Sequence, residues 1–268
     1  MPIALRASVG VHVVAAGVAV VLPEVAPWAL AGVVLNHAAL TAAGLWPRSS
    51  LLGPNVTRLS AACAARGEIA LTIDDGPDPA VTPAVLDLLD EHRTRATFFC
   101  IAERAQTHAG LTREIVARGH SVQNHSFLHR HNFSLLGPRG FATEIERAQD
   151  VLSGLTGQRP TCFRAPAGLR NPFLDPVLHR LGLALVSWTR RGFDTRERDP
   201  QRVLSRLTNG LAGGDILLLH DGHAARSTTG RPIVLDVLPR LLEQCRQARL
   251  RGVTLSEALP AREGAIAA

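Results

Sequence analysis

The chain changes its hydrophobic rhythm once, near residue 50. Before that point lie two runs, ASVGVHVVAAGVAVVL (7–22) and VAPWALAGVVLNHAALTAAGL (25–45), apolar on every face and free of formal charge. A helix bathed in water keeps a polar side, so helices apolar all round are predicted to sit in lipid. The second run is long enough to span a bilayer, and the first lies near the lower limit of ~17 residues. The ALA at 29–31 resembles a signal-peptide cleavage site, but apolar sequence continues beyond it, and retained membrane segments are the preferred reading. Trp28 and Trp46 suit interfacial positions. Arg6 before the pair and Arg48 and Arg58 after it would leave the downstream domain of a two-helix hairpin on the cytoplasmic side, whereas a single anchor with a surface-lying first segment would reverse that.

After the Pro/Gly/Ser-rich PRSSLLGPN (47–55), short apolar runs alternate with amphipathic stretches. The predicted strands are IALTI (69–73), ATFFC (96–100), HSVQN (120–124), TCFRA (161–165), LALVSW (183–188), DILLLH (215–220) and GVTLSE near 252. Between them fall the helical patterns VTPAVLDLLDEH, GLTREIVARG, FATEIERAQDVLSGL, NPFLDPVLHRLG, PQRVLSRL and IVLDVLPRLLEQCRQAR. Strand and helix in regular alternation predict an α/β fold, a parallel sheet or barrel whose chemistry gathers at the carboxyl ends of the strands. The expected organisation is membrane segments over 1–47, a linker over 48–65, the α/β domain over 66–260 and a tail over 261–268.

Composition narrows the chemistry. The 268 residues carry a net charge of +6, contributed on the basic side by arginine alone, for there is no lysine. Its absence excludes Schiff-base chemistry and a Walker phosphate loop. The arginines are spread through many segments, so no nucleic-acid stripe is expected. Cys63, Cys100, Cys162 and Cys245 lie far apart without a CxxC pair, which predicts free core thiols and neither a disulfide framework nor a zinc knuckle.

The conspicuous polar residues fall at predicted strand ends: Asp74 and Asp75 after the first, NHSFLH after the third, FRAPAG at the fourth, RRGFDT after the fifth, LLLHDGH at the sixth. Adjacent carboxylates repel, so the pair Asp74–Asp75 calls for a positive partner. His120, His125, His129 and His131 cluster within one stretch, and His125 and His129, four apart, share a face on a helical turn. Two imidazoles and one carboxylate make a facial set with open positions, as a catalytic Zn²⁺ site requires, with the second aspartate left free as a base.

Taken together and in order, TIDDGPDP, NHSFLH, FRAPAG, WTRRGFDT and LLLH resemble the five motifs of the polysaccharide deacetylases, the NodB-homology or carbohydrate esterase family 4 domain, over roughly residues 66–258. The resemblance implies a distorted seven-stranded (β/α) barrel. It implies Asp74 as catalytic base, Asp75, His125 and His129 as ligands of a divalent metal, usually Zn²⁺ and sometimes Co²⁺ or another divalent ion, and Arg164 as the partner of the base. It also implies His220 as catalytic acid tuned by Asp194, Leu219 lining the acetyl-methyl pocket, and the Ala167 amide in the oxyanion hole. Ala167 stands where the family usually has an aromatic ring, Thr195 where a tryptophan is common, and Arg130 where a proline usually follows the metal pair, so the sugar groove is expected to be remodelled. Asp78, His131, Asp221 and His223 receive no role.

The expected activity is metal-dependent hydrolysis of an N-acetyl or other N-acyl group on an amino sugar, in a polysaccharide or a lipid-linked glycan, at a bacterial inner membrane. The alternatives are a membrane-anchored glycan-binding module without activity and a deformylase of a lipid-linked amino sugar.

Overall fold

The structure, a computed structural model, describes residues 2–259. The tail expected over 261–268 lies outside the described residues. Helices α1 (Ile3–Val21) and α2 (Ala26–Leu45) form a hairpin through a single turn of 3₁₀ helix at Pro23–Val25. Val13, Val20, Trp28, Val34 and Leu35 point outward, each more than half exposed. The polar residues of the hairpin turn instead to one another. Asn36 Nδ2 donates to Ser8 Oγ at 2.8 Å, and the His12 and His37 rings meet at 3.1 Å between their Nε2 atoms. Between apolar helices such bonds satisfy groups that lipid cannot.

The hairpin is locked to the rest of the protein. Gly44, in the last turn of α2, accepts a hydrogen bond from the Arg170 amide at 3.1 Å, and Arg170 Nη2 donates to the Ser49 carbonyl oxygen at 2.5 Å. A Cβ on residue 44 would lie 2.2 Å from the Arg170 carbonyl oxygen, so only glycine permits the approach.

The α/β domain opens with α3 (Ala61–Ala65), capped by the Ser60 side chain, and β1 (Glu68–Asp74). It continues through α4 (Thr82–Glu91), β2 (Ala96–Cys100), α5 (Ala102–Thr107), α6 (Ala109–Ala117), β3 (Ser121–Asn124), α7 (Pro138–Thr156), β4 (Cys162–Phe163), α8 (Leu174–Arg180) and β5 (Ala184–Leu185). It closes with β6 (Arg190–Arg191), α9 (Pro200–Thr208), β7 (Ile216–His220), α10 (Ile233–Gln247), β8 (Arg251–Gly252) and α11 (Leu255–Ala258). The strands are parallel in the order β5-β4-β3-β2-β1-β7-β6, with β8 beside β1, a curled sheet of the distorted barrel type. The predicted strands at 161–165 and 183–188 shrink to two residues each. The one expected near 252 ends after Gly252, where Thr254 and Glu257 make a reciprocal capping box and start α11.

Strand alternation in β1 and β7 separates two faces of the core, and a third cluster lies beside β4 and β5 around Phe141 and Phe163. Ile69, Leu71 and Ile73 of β1 and Leu217 and Leu219 of β7 face the helices α4, α9 and α10. Ala70 of β1, Ile216 and Leu218 of β7 and Phe99 of β2 face the inside of the curl. Asp74 and His220 are direct register partners across β1 and β7, so alternation delivers both to the inner face at the carboxyl ends.

Candidate metal and catalytic site

Asp74 is 2 % exposed at the end of β1. Continued alternation would aim the next side chain at the helices. Asp75 instead adopts φ 74°, in the left-handed region, and both carboxylates line one cavity. Such a backbone is uncommon for a residue other than glycine and is held by its surroundings. The Asp75 amide donates to the Phe99 carbonyl oxygen at 3.2 Å, and the Asp75 carbonyl oxygen accepts from Arg104 Nη1 at 3.0 Å.

The positive partner of the pair is Arg164, buried beneath it. Its Nη1 donates to Asp74 Oδ1 at 2.6 Å and to Thr72 Oγ1 at 2.8 Å, its Nη2 to the Ser187 carbonyl oxygen at 2.8 Å, and its Nε to the Val186 carbonyl oxygen at 3.2 Å. The guanidinium also lies over the Phe99 ring, 4.1 Å from its centroid. A cation so completely bonded holds Asp74 in place and offsets its negative charge in a dry setting.

Asp75 serves a different set. Its Oδ1 lies 3.2 Å from His125 Nε2 and 3.2 Å from His129 Nε2, and the three ligand atoms fall within 4.8 Å of one another. That oxygen is buried and receives no hydrogen bond. The His125 ring is fixed from behind, its Nδ1 2.8 Å from the Arg164 carbonyl oxygen, which sets the tautomer with the lone pair on Nε2. His129, at φ 50°, is positioned by its amide, which donates to Ser126 Oγ at 3.0 Å. Burial, reinforced by the neighbouring His125, pushes His129 down to about 4, so its ring is neutral and able to ligate. Burial raises the Asp75 carboxyl, but His125 and His223 outweigh it and hold the group well below the ordinary range. Two neutral-capable imidazole nitrogens around one orphaned carboxylate oxygen fit a divalent cation of the zinc class.

Across the cavity, Asp194 Oδ1 lies 2.9 Å from His220 Nδ1, and Asp194 Oδ2 accepts the His220 amide at 2.7 Å. Burial works against a charged ring here, but Asp194 and then Asp74 and Asp75 outweigh it and raise His220 to about 9. At neutral pH the ring is an acid with one nitrogen committed to Asp194 and Nε2 left for the cavity. Ala167, at φ 55°, lies at the cavity's edge, and Thr195 on its wall.

Sequence reasoning put Leu219 against the substrate, and here the structure corrects it. Leu219 is fully buried on the helix side, and Leu218 lines the cavity. His220 faces inward, so the inward leucine must be two residues away, not one. Three further cavity residues lie within the quoted stretches but were given no role from sequence: Trp188, Arg191 and His223. His223 Nδ1 lies 3.2 Å from Asp75 Oδ2, and its Nε2 lies 2.8 Å from Arg104 Nη2, so the metal-facing aspartate is buttressed from its second oxygen. His120, by contrast, packs on Phe98 with its Nδ1 accepting the Ala96 amide, a core histidine, and His131 is exposed.

The cavity has a volume of ≈ 190 Å³ and joins these groups at the carboxyl end of the sheet. The chain is similar to known proteins. The polysaccharide deacetylase profile matches residues 61–186. A peptidoglycan-N-acetylglucosamine deacetylase of Bacillus cereus is 31% identical over 198 residues, covering 71% of this chain and 87% of that protein. A chitooligosaccharide deacetylase of Azorhizobium caulinodans is 34% identical over 161 residues, 59% of this chain and 75% of that one. Among solved structures, a family 4 carbohydrate esterase from Streptomyces lividans in complex with acetate superposes with a TM-score of 0.64 at 30% identity, covering 74% of this chain and 97% of that one. With so much of the Bacillus cereus enzyme spanned at that identity, and the family profile matched across the first strands of the sheet, the chain belongs to the polysaccharide deacetylase family.

Proposed function

We propose that the protein hydrolyses the N-acetyl group of an amino sugar in a glycan presented at a membrane. The observation that carries this reading is the division of labour between adjacent aspartates, Asp74 paired with a buried arginine and Asp75 facing two histidines. Asp75, His125 and His129 would hold the divalent cation. When bound, that cation supplies Lewis acidity toward the amide oxygen and lowers the pKa of water toward ~7.

The rest falls to the chain's own groups. Asp74, held in place by Arg164, takes the proton of the attacking water as its oxygen adds to the acyl carbon. The Ala167 amide, at the cavity's edge, would donate to the oxygen that gains charge. His220 passes its Nε2 proton to the departing nitrogen, the carbon–nitrogen bond breaks, and acetate and a free amine result. Leu218 and Trp188 give the cavity the apolar wall an acyl methyl needs.

Two features favour a lipid-linked glycan over bulk polymer. α1 and α2 are each long and apolar enough to cross a bilayer, and α2 is bonded directly to the catalytic domain at Gly44. Ala167 and Thr195 also leave the rim without the rings that commonly shape a polymer groove. On this reading the protein resides at the bacterial inner membrane with its hairpin retained.

The test is acetate and formate release from N-acylated glycans and lipid-linked amino sugars, using chelated protein with and without added Zn²⁺. Asp74→Asn should keep its metal and lose at least ~10²-fold in rate. Normal turnover by that variant overturns the assignment of the base; formate release in place of acetate would make the protein a deformylase; no turnover of any glycan together with no bound metal would favour a binding module.

A further inference from the structure

Arg191 belongs to neither the metal cluster nor the acid–base pair, yet it borders the cavity. Its guanidinium carbon lies 5.2 Å from the Trp188 ring centroid and 5.0 Å from that of Phe193, and its buried Nε has no hydrogen-bond partner. Among the described residues no carboxylate forms an ion pair with it. On its other side opens a groove of ≈ 680 Å³ lined by Trp46, Arg48, Arg190, Arg191 and Arg206, with no acidic residue in the wall.

The four arginines are not equivalent. Arg190 is committed to Asp215 and to the carbonyl oxygens of Asn209 and Gly210, and Arg206 is paired with Glu197 at 3.2 Å. Arg48 bonds only a carbonyl oxygen, that of Thr189 at 3.2 Å. Arg48 and Arg191 are therefore the cations of the groove with donors to spare. Trp46, Pro47 and Arg48 follow α2 directly, so the groove runs from the foot of the apolar hairpin to the catalytic cavity.

We infer that this groove is a phosphate subsite: Arg191, with Arg48, holds the phosphate ester that joins the amino sugar to a membrane lipid, while the sugar's acyl group enters the cavity. The inference rests on the deacetylase reading and narrows it to substrates with an anionic linkage. A planar guanidinium with free N–H groups, fixed between two rings, is preorganised for phosphate oxygens. A neutral oligosaccharide would leave both cations unpaired.

The test uses full-length protein in detergent micelles. In the kinetic arm, N-acetylglucosamine linked through phosphate to a polyprenyl lipid is compared with neutral N-acetylchitotetraose. Arg191→Ala is expected to lower the ratio of kcat/KM for the phosphorylated over the neutral substrate about tenfold, through KM, with partial recovery in Arg191→Lys. An equal loss on both substrates overturns the subsite. In the binding arm, metal-stripped protein is titrated calorimetrically with soluble N-acetylglucosamine 1-phosphate, so that no metal ion can hold the anion. Binding that weakens in Arg191→Ala supports the subsite even if no substrate is turned over, a result that would sink the deacetylase reading alone. No binding beside active turnover of neutral glycan sinks the subsite alone. A soluble sugar phosphate that matches the lipid-linked one in KM would identify the free phosphorylated sugar as the source of the anion.

Discussion

Asp194 grips His220 at two points, the ring through one carboxylate oxygen and the backbone amide through the other, at 2.9 and 2.7 Å. The double contact fixes both the place of the ring and its charge. Asp194→Asn removes the charge that raises His220 to about 9. The alkaline limb of the rate profile should then move toward neutral pH, with kcat reduced ~10²-fold or more, and NMR titration of the His220 ring should show the same fall. A stability effect follows with a fixed sign. The folded-state pKa lies above the ordinary ~6.5, so the stabilisation is fully present below that pH and is lost as pH rises through about 9. Thermal melts of wild type should weaken over that window, and those of the variant much less.

Arg164 is 1 % exposed and makes four hydrogen bonds. Arg164→Ala should cost ~3–5 kcal/mol, because Asp74 is left as an unpaired buried charge. Adding Asp74→Asn to the Arg164→Ala background should recover part of that loss while leaving the enzyme inactive. Denaturant melts of the single and double variants check this.

His223 touches the metal-facing carboxylate from behind and is half exposed, so its removal should leave the fold unchanged. His223→Ala is expected to weaken Zn²⁺ affinity by ~10–100-fold, measured by competition with a chelating dye. His125→Ala should abolish stoichiometric metal by elemental analysis.

Gly44→Ala places a methyl against the Arg170 carbonyl oxygen, at a separation no Cβ tolerates. The backbone must shift, at a cost of ~1–3 kcal/mol. Hydrogen exchange should rise at Arg170 and through Arg48–Gly53, while amides in β1 and β7 stay protected.

Most of this architecture is legible along the chain because parallel strands buried on both faces read as continuous apolar runs, and IALTI, ATFFC and ILLLH do. Arg190–Arg191 forms a strand with no apolar pattern at all, because its pairing with Leu217 and Leu218 is a matter of backbone register. The motif residues could be placed at strand ends by position alone. What their side chains face could not, since Asp75 reaches the cavity only through a left-handed turn. Period-two alternation counted back from His220 would have pointed to Leu218 over Leu219. His223 and Arg191 carry no signal in one dimension: a histidine in a polar loop and the second of two arginines acquire meaning only beside Asp75, or between two aromatic rings.

If α1 and α2 are membrane helices, as proposed, the bond between Gly44 and Arg170 gives the catalyst a working height. With α1 and α2 embedded in a bilayer, no flexible tether separates the last helical turn from the domain that carries the reacting groups. On the membrane reading proposed above, Asp74 would stand at a set elevation above the lipid surface, and amides farther away would lie outside its reach. Selection among chemically identical sugars becomes a matter of altitude: those within one shell above the membrane are within range, and those beyond it are not.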